Sequence, residues 1–361
     1  MQRRANRQPK IRQLVVRRRH RLADPSIKRA ADRERLATLA DLATPWAIRV
    51  IVRSGVVEIL ATGDVEVSDL AEQAGLNVEA FRRVLRLLAY HDVVTLSGDV
   101  CALGPLGYLL VPTNEDTLAE QLDGSSFNTV LDECRSRLAR VVISGEPAIE
   151  PVKFWTALRS DTTGSSSFDR LMEQRSSPVV DEMFVHWTSP VPATIADIGC
   201  GPGAILAAAL RSFPDAKGIG VDNYSTAGSA IVRQADIASR FQFVNADFFY
   251  DPLPREADLY LVASVLHDWG DDKCLELLSR ILKFAGPQSL VVVIERVICD
   301  GGSFRAGHLR LDIDMLVAFG GRERTTPELI TIAELAGLTF VCHSCLPNEY
   351  VLLEFTTSGL K

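Results

Sequence analysis

The sequence predicts an α/β protein in which a mostly helical first part precedes a doubly wound sheet of parallel strands. Residues 194–198 form a short apolar, β-branched run of the kind that makes a buried parallel strand, and a glycine-rich turn ends it. Beyond residue 222, strand-like and helix-like segments alternate, as in a sheet with helices on both faces. A chain of 361 residues with 47% hydrophobic content is long enough to form two domains.

Composition and charge divide the chain into four predicted segments: a basic tail at 1–26, a helical region with a hairpin at 27–112, a helical connector at 113–190 and the sheet domain at 191–357. Residues 1–35 hold 13 Lys and Arg but only 3 Asp and Glu, although the whole chain has a net charge of −7. We expect the tail to be disordered, and it lacks the apolar core of a secretory signal.

The same composition excludes several classes of protein. The acidic remainder of the chain argues against a nucleic-acid partner, and no apolar run is long enough to cross a membrane. Seven cysteines at irregular spacing indicate free thiols in a reducing compartment, so a cytoplasmic location is expected.

The region before residue 112 combines two short helices with a β-hairpin. Asn77 is placed to cap the second helix, residues 78–90, and β-like pieces follow at 93–96 and 100–103. A winged helix of this kind often binds DNA. Three arginines of the second helix would supply a basic surface: Arg82, Arg83 and Arg86. A DNA-binding regulator is therefore one alternative function.

The glycine-rich turn after the first strand of the sheet domain is the centre of the predicted site. The turn contains Gly199, Gly201 and Gly203. Glycine lets a ligand approach the backbone closely, and residues 204–213 have the composition of a helix whose N-terminus favours anionic groups.

The spacing around this turn indicates which nucleoside it binds. Asp222 ends the next strand, where a carboxylate can accept hydrogen bonds from ribose hydroxyls. The pattern is Gly-x-Gly-x-Gly after Asp197 rather than the Gly-x-Gly-x-x-Gly of dinucleotide sites. It resembles the nucleoside-binding loop of S-adenosylmethionine (SAM) methyltransferases. An NAD site, or a turn without a ligand, is the alternative interpretation.

Other polar residues follow the ends of later predicted strands. Asp247 could accept a hydrogen bond from an adenine amino group while Phe248 packs on its ring. A turn Asp beside core aromatics is the alternative, but the glycine turn upstream favours the contact with adenine. His267 follows a strand near residues 258–264, and Glu295 ends the next strand. Ligands of open α/β sheets bind beyond the carboxyl ends of the strands, so these residues are expected to share one crevice.

His267 is the strongest catalytic candidate in the sequence. A histidine at this edge can act as a general base because its pKa is ordinarily close to neutrality. Glu295 could orient the imidazole and stabilise its protonated form, as the acidic member of a triad does. A structural histidine is the alternative, but the convergence of strand ends favours the base.

Four segments carry a specific resemblance: DFFYDPLP, LVASVLHDWGDDKC, VVVIERV, and GGRERT followed by ELAGL. They resemble successive motifs of the plant-type and bacterial class II O-methyltransferases, and the likeness extends over residues 35–355. It implies a Rossmann-like domain that binds SAM, releases S-adenosylhomocysteine and needs no metal. It also implies a homodimer formed through the winged-helix domain, and methylation of a hydroxyl on an aromatic small molecule.

The resemblance assigns roles to individual residues. His267 matches the catalytic base, flanked by Glu295 and Glu323. Contacts with SAM are implied for Asp197, Gly199, Gly201, Gly203, Asp222, Asp247, Phe248, Ser264 and Trp269. The predicted acceptor pocket comprises Phe154, Trp155, Phe168, Met172, Met315 and Phe319.

The resulting hypothesis is an in-line transfer in which His267 takes a proton from a phenolic hydroxyl as the oxygen attacks the sulfonium methyl. Some bacterial proteins that resemble this family keep SAM but catalyse hydroxylation, decarboxylation or pericyclic steps, and they tend to lack the base. The presence of His267 with both glutamates therefore favours methyl transfer. One departure from plant members is Ala263, which stands where they often place a lysine that reaches SAM.

Overall fold

The computed structural model describes residues 25–114, 117–124, 126–151, 153–155, 180, 182–185, 187–223, 234, 236–298 and 306–357. The predicted tail up to residue 24 lies outside these ranges, as do two predicted pocket residues, Phe168 and Met172. Within the described ranges, no helix is both long enough and apolar enough to cross a membrane.

The N-terminal region contains five helices and three short strands among its described residues. They are α1 (Pro25–Ala40), α2 (Ala43–Arg53), α3 (Val56–Ala61), β1 (Val65–Glu66), α4 (Val67–Gln73), α5 (Val78–Tyr90), β2 (Val94–Ser97) and β3 (Val100–Leu103). The strands form an antiparallel sheet in the order β1-β3-β2. Asn77 caps α5 as expected, because its side chain accepts a hydrogen bond from the Ala80 N–H at 3.0 Å. Ile51, Leu70 and Leu85 pack in the core between these elements.

A helical layer connects this region to the sheet domain. It includes α6 (Ser126–Ser136) and α7 (Leu138–Ser144), which pack against a later helix of the sheet domain, α10 (Ala306–Phe319). Asp132 of α6 receives hydrogen bonds from Arg49 of α2 at 2.6 Å and from Arg53 at 2.9 Å. This buried carboxylate therefore links the N-terminal helices to the layer that covers the cleft.

The C-terminal domain is a seven-stranded sheet with helices on both faces. Its remaining elements are β4 (Thr194–Ile198), α8 (Ala204–Ser212), β5 (Lys217–Asp222), β6 (Phe241–Asn245), β7 (Leu259–Ala263), α9 (Asp271–Phe284), β8 (Leu290–Arg296), α11 (Thr326–Leu335), β9 (Thr339–Cys345) and β10 (Tyr350–Thr356). One face packs on α9 and α11, and the opposite face packs on α8. The predicted doubly wound α/β architecture is confirmed.

The strand order is β6-β5-β4-β7-β8-β10-β9. Strands β4 to β8 are parallel, whereas β10 pairs antiparallel with both β8 and β9. The chain order reverses between β4 and β7, and this switch point opens a crevice at the carboxyl ends of the strands. In the strand order of dinucleotide-binding folds the sixth strand lies directly beside the fifth. Here the antiparallel β10 lies between the corresponding strands, β8 and β9.

Candidate active site

The carboxyl ends of the parallel strands border a cleft whose free space, counted to its open mouth, is about 1550 Å³. The predicted site residues on its wall are Gly199, Gly201, Asp222, Asp247, Phe248, Ser264, His267, Trp269, Trp155, Met315 and Phe319. Four other strand-end or turn residues, Asp197, Gly203, Glu295 and Glu323, lie outside this lining. The sheet topology thus brings together predicted residues from the ends of four parallel strands, β4 to β7.

The glycine-rich turn has the geometry that its sequence predicts. All three glycines adopt positive φ, with values of 79° at Gly199, 49° at Gly201 and 88° at Gly203. A Cβ atom on Gly199 would lie 2.6 Å from the Cγ2 atom of Val265, so a larger residue does not fit. The Gly201 N–H donates to Oδ2 of Asp222 at 2.9 Å. Asp222 therefore fixes the turn as well as facing the cleft.

Aromatic residues form the cleft wall after β6. Phe248 and Phe249 both line the cleft, and Trp269 packs edge-on against Phe249 with ring centroids 4.8 Å apart. Oδ1 of Asp247 accepts a hydrogen bond from the Phe249 N–H at 2.9 Å. Asp247 is thus a turn residue that also borders the cleft. An aromatic face on the cleft wall, such as that of Phe248, can stack on a flat ring, as the predicted adenine contact requires.

Asp197 lies beneath the glycine turn rather than on the cleft surface. It is 1% exposed, and its carboxylate oxygens make no aligned hydrogen bond to the residues that the structure describes, although the Leu206 N–H lies close enough to oppose the rise in its pKa. Burial and the nearby charge of Asp222 raise its pKa to about 7. A buried carboxylate without a counter-ion favours positive charge above it, and this feature fits a cationic ligand such as SAM.

Asp197→Asn is expected to stabilise the unliganded protein more at pH 8 than at pH 5. The folded state raises the Asp197 pKa from 3.8 to about 7, so it binds this proton more tightly than the unfolded state does. That contribution to stability is present at low pH and is lost as the pH rises to 7, whereas Asn has no proton to lose. The melting temperature of Asp197→Asn, taken relative to that of the wild-type protein, should be a few degrees higher at pH 8 than at pH 5.

Thermal unfolding of both proteins at pH 5 and pH 8 measures this effect. Asp215→Asn is the matched control, because Asp215 is an exposed aspartate outside the cleft lining. An Asp197→Asn difference that is equal at the two pH values would contradict the prediction.

His267 stands on the cleft wall with carboxylates on both sides of its ring. Nδ1 lies 3.3 Å from Oε2 of Glu295 and 3.5 Å from Oε1 of Glu323, while Nε2 lies 3.5 Å from Oδ1 of Asp268. These are ion-pair distances rather than aligned hydrogen bonds. The two glutamate side chains are at most 2% exposed and lie on the Nδ1 side of the ring, while Nε2 faces Asp268, which lines the cleft as His267 does.

The carboxylates change the acidity of the imidazole. Burial opposes the charge, but Glu295, Asp268 and Glu323 outweigh it and raise the His267 pKa to about 10. The sequence predicts a value near neutrality, and the difference arises because three acidic groups surround one ring. The carboxylates therefore favour the protonated form of His267 in the unliganded protein. Burial also raises the pKa of Asp268 to about 7.

Glu295 has a second role that the sequence does not reveal. Its Oε1 atom accepts hydrogen bonds from the backbone N–H groups of Val265 at 2.9 Å and Leu266 at 2.7 Å. One carboxylate thus holds the backbone before His267 with one oxygen and faces the imidazole with the other. Its removal would disturb the position of the ring as well as its charge.

Arg324 holds the same turn from the other side. This arginine is only 2% exposed, and it donates to the carbonyl oxygens of Leu266 and Trp269, each at 2.7 Å. Asp271 balances its charge at 2.8 Å. The GGRERT segment therefore contributes two buried groups: Glu323, which faces His267, and the Arg324 guanidinium, which holds the turn at residues 266–269.

The predicted acceptor pocket has an aromatic wall. Trp155 stacks on Phe319 with ring centroids 5.2 Å apart, and Met315 lies one helical turn earlier on α10. Phe154 is 2% exposed and packs edge-on behind both rings, at 5.4 and 4.7 Å. The structure therefore places Phe154 as a support for the wall rather than on its surface.

Several residues of the cleft were absent from the predicted set: Asp268, Arg296, Tyr350, Leu311, Phe249 and Phe127. Asp268 directly follows His267, and Arg296 directly follows Glu295. This adjacency to a predicted catalytic residue is the sequence signal that could have indicated them. Among the described residues, no group of His, Cys, Asp and Glu side chains is arranged to hold a metal ion.

A doubly wound sheet with a nucleoside-type glycine turn and a carboxylate-flanked histidine defines the class of Rossmann-like group-transfer enzymes. Comparison with known proteins narrows this class. Residues 144–339 match the family model of the O-methyltransferase domain. The chain belongs to this O-methyltransferase family.

Individual relatives agree with this assignment. The chain is 35% identical to 2,7-dihydroxy-5-methyl-1-naphthoate 7-O-methyltransferase of Streptomyces carzinostaticus, over 89% of this chain and 97% of the relative. It is 30% identical to aclacinomycin 10-hydroxylase RdmB of Streptomyces purpurascens, over 89% of both chains. A solved structure of the O-methyltransferase NcsB1 from neocarzinostatin biosynthesis, in complex with S-adenosyl-L-homocysteine and 1,4-dihydroxy-2-naphthoic acid, has a TM-score of 0.80 at 32% identity. That match covers 89% of this chain and 98% of that one.

Proposed function

We propose that this protein transfers a methyl group from SAM to a phenolic hydroxyl of an aromatic small molecule, with His267 as the general base. The observation that carries the proposal is that His267 lines the same cleft as the glycine turn and the aromatic wall of Trp155 and Phe319. Solved complexes of a relative with S-adenosylhomocysteine and a dihydroxynaphthoic acid support the same pair of ligands.

SAM, when bound, supplies an electrophilic methyl group on a positively charged sulfonium. The glycine turn and Asp222 would hold the nucleoside, and the walls of Phe248 and Trp269 would hold its base. A positive charge in the cleft lowers the pKa of the neighbouring His267, which brings the ring toward the neutral form that a base needs. Nε2 then takes the hydroxyl proton, and Glu295 and Glu323 stabilise the resulting imidazolium.

The relationship to a hydroxylase makes the reaction class worth testing directly. In this chain both glutamates face a histidine, and this arrangement provides a base for deprotonating a hydroxyl. Hydroxylation or decarboxylation would need no such proton acceptor at this position. The carboxylate-flanked histidine therefore supports methyl transfer over these alternatives.

A mass-spectrometric screen tests the proposal. The purified protein is incubated with SAM and a panel of phenols and hydroxylated bicyclic aromatics. The expected result is a product with one added methyl group and an equal amount of S-adenosylhomocysteine. A product with one added oxygen, a product that has lost carbon dioxide, or no product from any phenol would contradict it.

We also infer that two copies of the chain associate through the N-terminal helices. Large apolar side chains are exposed along these helices, with exposed fractions of 66% at Leu36, 74% at Leu39, 73% at Leu42 and 50% at Trp46. Leu36 and Leu39 share one face of α1, and α2 carries Trp46. Large exposed apolar side chains grouped in one stretch of helices support an interface there.

One chain has a mass of 39.6 kDa, and light scattering is expected to give twice that value. The double variant Leu39→Glu/Trp46→Glu should shift the protein to the monomer mass, because two buried apolar contacts become charged. Leu335→Glu is the control, since Leu335 is 71% exposed on α11, away from these helices. A wild-type protein that remains monomeric at micromolar concentration would overturn the inference.

A further inference from the structure

Helices as well as strand ends border the predicted acceptor pocket. Helix α10 contributes Leu311, Met315 and Phe319 to the cleft lining, and α6 contributes Phe127. The three α10 residues are four positions apart, so they form one stripe along the helix. Side chains of α6 and α10 also share one apolar cluster. The rotation of α10 relative to α6 therefore helps to set the shape of this part of the cleft.

One ion pair joins these two helices next to the lining residues. Arg135 of α6 donates to both carboxylate oxygens of Asp314, from Nε and from Nη2, each at 2.7 Å. Asp314 directly precedes Met315 and is 7% exposed. Two parallel hydrogen bonds between a planar guanidinium and a carboxylate fix the orientation of the two groups as well as their distance. The pair therefore holds α10 in one orientation against α6.

Asp312 holds α10 on the other border of the same stripe. Its Oδ1 atom accepts a hydrogen bond from the backbone N–H of Glu323 at 2.8 Å. Because a helix turns by about 100° per residue, Asp312 and Asp314 lie on opposite sides of the stripe that faces the cleft. Helix α10 is thus tied to the catalytic segment on one side and to α6 on the other. Rotation about its own axis is opposed in both directions.

The pair of Arg135 and Asp314 also belongs to a larger ion network. Nη1 of Arg135 donates to Oδ1 of Asp132 at 3.0 Å, and Asp132 binds Arg49 and Arg53 of α2 as well. Both carboxylates are at most 8% exposed. A buried carboxylate that loses its partner is strongly unfavourable, so the network resists opening. It fixes α6 on the N-terminal helices and makes Arg135 a fixed point for α10.

We propose that Asp314 is a positioning residue for the acceptor. Its pair with Arg135 sets the rotation of α10, and this rotation places Met315 and Phe319 for contact with the aromatic ring. Neither Asp314 nor Arg135 belongs to the cleft lining, so the pair acts through the helix and does not touch the ligand. This inference rests on the proposed function, because it treats this part of the cleft as the acceptor site.

The affinities for two different ligands separate this role from a general effect on stability. Calorimetry measures the binding of S-adenosylhomocysteine to the free protein, and then of 2-naphthol to the protein saturated with S-adenosylhomocysteine. Asp314→Asn keeps the size of the side chain but removes its charge. We expect this variant to bind 2-naphthol about 10-fold more weakly than the wild-type protein does. Its affinity for S-adenosylhomocysteine should change by less than about twofold, because the glycine turn and Asp222 belong to other elements.

Arg135→Met tests whether the pair, rather than Asp314 alone, is responsible. It should weaken the binding of 2-naphthol to a similar degree. The double variant Arg135→Met/Asp314→Asn should lose less than the product of the two single effects, because both changes break the same interaction.

Glu354→Gln is the matched control for the loss of a buried carboxylate. Glu354 is 4% exposed on β10 and accepts a hydrogen bond from the Ser189 hydroxyl, but it lies outside the cleft lining. This variant should have a lower melting temperature and wild-type affinity for 2-naphthol. Melting temperatures of the other variants establish that each is folded.

Three results would overturn the role of Asp314. They are equal affinities of the wild-type protein and Asp314→Asn for 2-naphthol, including no measurable binding to either, a loss of affinity as large for S-adenosylhomocysteine as for 2-naphthol, and fully multiplicative effects in the double variant. Failure of the proposed function looks different. If 2-naphthol binds but no phenol is methylated in the screen, the effect of Asp314→Asn is still measured, because the binding assay needs no turnover.

Discussion

His267→Ala is expected to lower kcat by about 10²- to 10⁴-fold, the usual contribution of a general base. The variant should bind SAM with near wild-type affinity, because the proposed nucleoside contacts come from the glycine turn and Asp222 rather than from the imidazole. Calorimetry with SAM and steady-state assays with a saturating acceptor measure the two effects separately.

The pH dependence of the same variant gives a second test. Only the neutral imidazole accepts a proton, so wild-type turnover should rise with pH through the His267 pKa in the complex, and His267→Ala should lack that rise. His343→Ala is the control, since His343 is exposed on β9. Near wild-type turnover of His267→Ala at neutral pH would show that positioning alone accounts for the rate.

Gly321→Ala should produce the second largest loss of activity. A Cβ atom at this position would lie 2.0 Å from the carbonyl oxygen of His267 and 2.5 Å from the carbonyl carbon of Asp268. Both are backbone atoms, so the catalytic turn must move. A displacement of about 1 Å at a reacting group can cost roughly 10²-fold in rate, and overpacking typically costs about 1–3 kcal/mol of stability.

Gly307→Ala provides the matched control, because nothing lies within 4 Å of the added methyl and the residue is in helix α10. It should leave kcat unchanged and raise stability slightly, since Ala favours a helix more than Gly does. SAM affinity should survive in both variants. If Gly321→Ala has wild-type kcat, the close approach of these two segments does not position the base.

The residues that could be predicted from the sequence are those whose neighbours along the chain define their environment. A strand that stops at a glycine turn places its end at the edge of the sheet, so the locations of Gly199, Asp222 and His267 follow from local pattern and topology. The lining of the cleft includes these residues and Asp247, whereas Glu295, which the sequence also places in the crevice, lies outside it. Asn77 as a helix cap is predictable for the same local reason.

The residues that could not be predicted depend on contacts between distant segments. Arg324 reaches the Leu266 carbonyl across 58 positions of the chain, and no periodicity signals that contact. Phe154 looks like a pocket residue by composition, yet packing against Phe319 buries it. The antiparallel β10 lies between β8 and β9. A hydrophobic run in the sequence predicts a strand but does not indicate which strands it pairs with.

The charge state of His267 is a further example. Its three carboxylates come from the same turn, the next strand and a segment more than 50 residues later, so the high pKa emerges only when they are assembled. The protonation of His267, and its change when SAM binds, therefore depend on the assembled site and could not be predicted from a sequence motif.

A crystal structure with S-adenosylhomocysteine and a hydroxylated aromatic acceptor tests the central claim most directly. The account predicts that one acceptor oxygen lies within hydrogen-bonding reach of His267 Nε2, roughly 2.6–3.2 Å, and points at the sulfur of the product nucleoside. An imidazole turned away from the acceptor, or an acceptor whose oxygens all lie on the far side of the ring from the sulfur, would contradict it.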